Sequence, residues 1–216
     1  MNMTLQPAPV PSRAEAVRLW RAGLEALCGA DPDLARIVAE AGPPPLELRE
    51  AGFAALLRAI VAQQVSAAAA RSIWGRVSEA VRPLTPEAFL ALPEEDIRAL
   101  GFSRQKIAYG RGLAEAVASG RLDLDRLERL PDEEALAALV QLKGIGRWSA
   151  EVYLLFALGR PDIFPAQDLA LAVAAQRIKG LEARPTGAEL TALAERWRPW
   201  RSVAAILLWH YYRTAP

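Results

Sequence analysis

Two glycines one residue apart, Gly144 and Gly146, stand in LVQLKGIGRWSAE (residues 139–151), flanked by Lys143 and Arg147. Glycine takes backbone angles that a side chain forbids, so residues 142–146 can turn tightly between two helical stretches. The amides of such a turn and of the helix opening after it lack helical acceptors, and the helix dipole favours an anion beside them. A nucleic-acid phosphate fits that description. So does an ordinary helix–helix turn with glycine at the breaks. Further on, DIFPAQDLALA sets Pro165 and Asp168 at the start of another helical stretch. An aspartate there is a good helix N-cap, and the same carboxylate could oppose positive charge on a reacting group.

Composition narrows the chemistry. The 216 residues contain one cysteine, Cys28, and one histidine, His210. A disulfide framework, an iron–sulfur cluster or an ordinary zinc site lacks its ligands, so no metal and no cofactor are expected. His210, with no partner at suitable spacing, reads as structural. Net charge is +1, yet the charges are segregated: Arg58, Arg71 and Arg76 stand without an acid between Phe53 and Ser78, as do Arg98, Arg104, Lys106 and Arg111 between Ile97 and Ala114. A basic binding face and ordinary solvated helix faces both fit this pattern. No run approaches the roughly 20 apolar residues of a membrane span, and the first 13 residues lack a basic start followed by an apolar stretch. A soluble, cytoplasmic protein with a disordered tail over 1–13 and no membrane partner is expected.

The elements that must position these residues are helices. Apolar residues recur at helical spacing almost throughout, and no alternating stretch is long enough for a strand. The spacing and its Pro and Gly breakers predict helices at 14–28, 31–41, 50–63, 66–81, 86–91, 94–100, 104–118, 123–129, 132–141, 147–158, 168–178, 187–196 and 199–212. The fold class is all-α.

The longer pattern LKGIGRWSAE resembles the hairpin of the helix-hairpin-helix DNA glycosylases, whose second hallmark is a Gly/Pro-rich loop ending in Asp (HhH-GPD). Asp168 follows Ser149 by 19 residues, similar to the spacing in the alkylation-repair branch, the DNA-3-methyladenine glycosylase II (AlkA-like) proteins. AIVAQQVSAAAARSIWGRV (59–77) resembles that branch's early helix pair, and ERWRPWRSVAAILLWHYY (195–212) its C-terminal helix. The resemblance implies two helical lobes with a DNA-binding cleft between them: one of about 14–52 plus 180–216, the other of about 53–179 with the helix-hairpin-helix at 132–158. It also implies a monomer that flips alkylated purines, 3-methyladenine and 7-methylguanine, out of double-stranded DNA in the nucleoid and hydrolyses the N-glycosidic bond.

On that resemblance Asp168 is the catalytic carboxylate. Trp209 matches the base-stacking aromatic, and Trp148 is expected to line the same base pocket. Gly144, Gly146, Lys143, Arg147 and Ser149 would hold DNA at the hairpin. Gln63, Gln64, Val65 and Ser66 form the turn that carries the family's wedge, here Gln64 or Val65; an amide pair closing the helix junction is the competing reading. Ser103, Arg104 and Lys106 suit phosphate contacts, or a solvated helix start. Trp20, Trp74 and Trp197 read as core.

Relatives that also cut the backbone carry a nucleophilic Lys where this chain has Trp148, so lyase chemistry should be absent. Three departures stand out: Lys143 replaces a common Pro, the wedge is polar, and the stretch before Phe53 is too short for the β-rich N-terminal domain of some members. A non-catalytic damage-binding protein and a helical interaction module are the rival readings.

Overall fold

The computed structural model describes residues 11–215. Residues 1–10 of the expected tail lie outside the described residues, whereas Ser12 and Arg13 belong to a helix end. Ser12 is the N-cap of α1 (Arg13–Ala30), in a capping box with Glu15. Among the described residues the secondary structure is wholly helical, and no helix is long and apolar enough to cross a membrane.

The chain forms two compact units. The first includes Arg49–Tyr153; the second joins the described residues up to Leu48 to those from Leu154 onward. The expected lobe boundary near residue 180 is therefore misplaced. The observed boundary, between Tyr153 and Leu154, falls inside a continuous helix, α10 (Arg147–Phe156), where no breaker marks it.

The first unit contains α3 (Phe53–Ala62), α4 (Ala67–Ala80), α5 (Pro86–Leu90), α6 (Glu94–Ala99), α7 (Arg104–Ala118), α8 (Leu124–Arg129) and α9 (Asp132–Val140). Their starts are set by side chains that accept a first-turn amide: Ser66 for α4, Thr85 for α5, Ser103 for α7 and Asp123 for α8. Helix α7 packs on α3, α5 and α6. Gly110 lets it do so, since a Cβ there would stand 3.1 Å from both Leu57 and Phe89. The rings of Phe53, Phe89 and Phe102 tilt against one another around this contact.

The second unit is built on α13 (Arg201–Thr214), against which α1, α2 (Pro32–Ala41) and α11 (Leu169–Lys179) pack; α12 (Gly187–Ala194) and a 3-10 turn (Glu195–Trp197) complete it. Every residue from Ser202 to Leu208 is buried, so α13 is a core helix enclosed on all sides. Gly23 on α1 admits Trp200 and Val203, whose side chains would stand 2.8 Å from a Cβ.

Asp31 caps α2 and accepts Lys179 Nζ at 2.5 and 2.7 Å and Trp197 Nε1 at 2.9 Å. Burial pushes its carboxyl upward, but the hydrogen bonds from Lys179 and Trp197 prevail and hold it below the usual aspartate range. Trp20 and Trp197 are core residues, as expected. Trp74 is half-buried, with the Arg58 guanidinium 5.8 Å from its ring centroid.

Candidate nucleic-acid interface and carboxylate site

The hairpin closes through Ile145 N donating to Leu142 O at 2.9 Å, and α10 begins where Ala150 N donates to Gly146 O at 3.0 Å. Ile145 is buried and anchors the loop. Gly144 is required twice over: its φ is +95°, and a Cβ would collide with the ring of Tyr109. Gly146 differs. Its φ is not positive, and a Cβ there would meet nothing within 4 Å, so the turn itself demands only the first glycine.

Two residues expected to touch DNA are instead turned onto the protein backbone. Gln63 Nε2 donates to Gly144 O at 2.7 Å, tying the α3–α4 turn to the hairpin; the buried amide pair of the competing reading does not form, since Gln64 is exposed. Lys106 Nζ donates to Val61 O at 2.7 Å, capping the end of α3, and burial lowers its pKa. Tyr109, against which Gly144 rests, accepts Gln105 Nε2 at 2.7 Å. Nothing in the spacing of Tyr109 marks it as a hairpin support.

An open groove of about 860 Å³ borders the hairpin, with Gln64, Val65, Ser103, Lys143 and Trp148 among its walls. Gln64 is exposed and holds a left-handed φ of +52°, uncommon for a residue with a side chain, and Val65 is 37% exposed. Ser66 is occupied as the cap of α4, accepting Ala69 N at 3.2 Å. Trp148 is 46% exposed, and Arg104 and Lys143 are also exposed. Ser149 lines the groove and is largely buried.

Arg147 Nε donates to Glu151 Oε1 at 2.8 Å while the arginine side chain stays 60% exposed. Glu151 is buried, and its Oε2 has no hydrogen-bond partner. Burial raises its pKa, Arg147 opposes the shift, and Glu133 adds to it.

In the second unit Asp168 is the N-cap of α11, and its Oδ1 accepts Leu171 N at 3.0 Å. The same oxygen accepts Trp209 Nε1 at 3.1 Å. The Trp209 ring stacks on Phe156, centroids 5.6 Å apart and planes 25° from parallel. Capping and side-chain positioning thus coincide on one carboxylate. His210 Nε2 lies 3.3 Å from Ala41 O, and Leu169, next to Asp168, is 60% exposed.

Residues 57–199 match the family model described as "HhH-GPD superfamily base excision DNA repair protein". The chain is 35% identical over 190 residues to DNA-3-methyladenine glycosylase 1 of Schizosaccharomyces pombe, covering 85% of this chain and 83% of that protein. It is 38% identical over 198 residues to a probable bifunctional transcriptional activator/DNA repair enzyme AlkA of Mycobacterium tuberculosis, covering 86% of this chain but 38% of that longer protein. Among solved structures, the S. pombe 3-methyladenine DNA glycosylase in complex with abasic DNA superposes with a TM-score of 0.80 at 33% identity, covering 90% of this chain and 98% of that one. A DNA-3-methyladenine glycosidase from Bacillus halodurans gives 0.78 at 31% identity, covering 97% and 94%. The hairpin, the loop ending in Asp168 and the all-helical fold carrying them agree with these likenesses, and the chain belongs to the HhH-GPD superfamily of base-excision DNA repair proteins.

Proposed function

We propose that the protein is a monofunctional DNA glycosylase that binds double-stranded DNA as a monomer, turns an alkylated purine out of the stack and hydrolyses its N-glycosidic bond, leaving an abasic site. The observation that carries this reading is the fixed carboxylate: Asp168 Oδ1 is held by both the α11 amide and the Trp209 indole. Breaking a glycosidic bond builds positive charge on the sugar, and an oriented carboxylate stabilises that charge and directs the attacking water. Little reorganisation is left for the moment of reaction, because both donors are in place beforehand.

The substrate class follows from charge. Purines alkylated at a ring nitrogen, such as 3-methyladenine and 7-methylguanine, are cationic and gain from contact with electron-rich rings. Relatives bearing the 3-methyladenine name, one of them captured with abasic DNA, support that choice. The duplex must be opened and the base flipped. Gln64 and Val65, exposed in the α3–α4 turn, are the residues to fill the gap. The amides opening α10, together with Lys143 and Arg147, take the phosphate backbone. The indole of Trp148 offers no amine to form a covalent intermediate with the sugar, so the abasic site is released uncut. Nothing in this scheme calls for a cofactor, and the protein acts at the nucleoid in the cytoplasm.

The test is base release from alkylated duplex DNA by the wild type and Asp168→Asn in parallel, with a borohydride trap for a covalent intermediate. Release by the wild type that falls by about 10²-fold or more in the variant, with binding kept and no trapped adduct, is expected. Binding without release by the wild type would replace this reading with a damage-binding protein.

A further inference from the structure

The loop that ends in Asp168 is held at two places by one face of α13. At its near end, Ser202 N donates to Pro161 O at 3.0 Å. Ser202 Oγ accepts Ile163 N at 2.9 Å and donates to Arg160 O at 2.6 Å, with Ile163 O a second acceptor at 3.1 Å. Beside it, Arg201 clamps Asp162: Nε to Oδ1 at 2.8 Å, Nη2 to Oδ2 at 3.0 Å and Nη2 to the Asp162 carbonyl at 2.9 Å. Arg198 Nη1 adds a bond to Asp162 Oδ2 at 2.7 Å. At the far end, Trp209 holds Asp168.

Ser202 and Trp209 are seven residues apart, two helical turns, which puts them on the same side of α13 about 10.5 Å from each other. The chain between the two holding points has little slack. Pro165 fixes its own φ, Ala166 N donates to Phe164 O and Asp168 N to Pro165 O, both at 2.9 Å, and the Phe164 ring packs against Trp197. Ser202 is 4% exposed at the head of the buried apolar run Val203–Leu208, where a hydroxyl is tolerated only because its hydrogen bonds are made. Holding a loop against a helix needs no polar group at such a site; fixing its register along the helix does.

We propose that Asp162, Arg201 and Ser202 are positioning residues for Asp168: they set where the loop starts on α13, so that its last residue meets the Trp209 indole. The proposal rests on the glycosylase reading for its kinetic consequence and on geometry alone for its structural one. None of the three needs to touch DNA, so loosening the clasp slows the chemical step and spares binding.

The test uses Ser202→Ala and Asp162→Asn in the full chain, with two readouts. One is the single-turnover rate of base release beside the affinity for abasic duplex DNA. The other is the solvent-exchange rate of the Trp209 indole N–H, its resonance assigned with Trp209→Phe. The expected result is release about 10- to 100-fold slower, affinity within about twofold, and faster indole exchange in both variants; Arg201→Lys, which keeps charge but loses the fork, falls between. If Asp162→Asn does not stay folded, Ser202→Ala carries both readouts. Unchanged indole exchange, or a full release rate, overturns the proposal. If the wild type itself releases no base, the glycosylase reading fails while the indole readout still decides the clasp.

Discussion

Trp209 donates its indole N–H to the same carboxylate oxygen of Asp168 that caps α11, with donor–acceptor distances of 3.1 and 3.0 Å. The sequence resemblance assigned Trp209 to base stacking, but its nitrogen edge is committed to the carboxylate and one face lies on Phe156. Trp209→Phe keeps an aromatic ring and removes the donor. We expect base release to slow by about tenfold, the worth of one charge-assisted hydrogen bond, with DNA affinity kept. A variant as fast as the wild type would remove any kinetic role for the indole hydrogen bond and leave only the ring's stacking.

The two hairpin glycines should separate experimentally. Gly144→Ala must accommodate both a left-handed φ and the Tyr109 ring, so thermal unfolding should show a loss of about 1–3 kcal/mol. Gly146→Ala has open space at the new methyl and should leave stability within about 1 kcal/mol of the wild type while weakening DNA binding. Equal melting temperatures for the two variants would contradict this.

Salt dependence reads the phosphate contacts. Lys143→Ala and Arg147→Ala should each lower affinity uniformly across sequences and reduce the slope of log K against log salt by about one. Arg104, exposed at the start of α7, should behave likewise if the groove carries DNA. Lys106→Met should leave the slope unchanged and cost stability instead, since its ammonium caps Val61 O. A loss of slope in Lys106→Met would put that lysine back on the DNA.

Asp31 and Glu151 should contribute to pH-dependent stability with opposite signs. Asp31 is held below its unfolded value, so it stabilises at neutral pH and that contribution disappears as pH falls through the folded value, below about 4. Asp31→Asn should cost about 3 kcal/mol at pH 7, because Lys179 loses its main buried partner, and progressively less as pH falls below the unfolded aspartate value. Glu151 is raised by burial, so the fold favours its protonated form and is penalised as pH rises above the unfolded value, about 4.3. Glu151→Gln should therefore gain in stability relative to the wild type as pH rises from about 4 to 8. Melting curves from about pH 2 to pH 8 check both signs.

The helices were legible because their ends are chemically marked. Ser12, Asp31, Ser66, Thr85, Ser103, Asp123, Asp168 and Thr186 each cap a helix through their own side chains, and Pro and Gly fill the gaps. Asp168 was legible for the same reason, with the family spacing supplying its chemistry. The unit boundary left no mark, since α10 runs through it. Contacts between distant residues left none either: Gln63 finds Gly144 and Asp162 finds Arg201 across 81 and 39 positions, and no local pattern distinguishes such a polar side chain from a solvated one. Lys106 illustrates the limit: a lysine near a helix start looks the same whether it reaches a phosphate or, as in this structure, a carbonyl.

Helix α13, enclosed on every side from Ser202 to Leu208, has a consequence for how the protein discriminates. Its amides should exchange with solvent only when the whole unit opens, among the slowest in the chain. Trp209 directly follows that buried run, so the carboxylate is tied to the most enclosed helix of its unit, whereas Gln64 and Val65 sit on an exposed turn. If Asp168 is the reacting group, adaptation to different lesions should then be sought in the exposed turn and in what the DNA itself yields, with the carboxylate as the fixed reference to which each base must be brought.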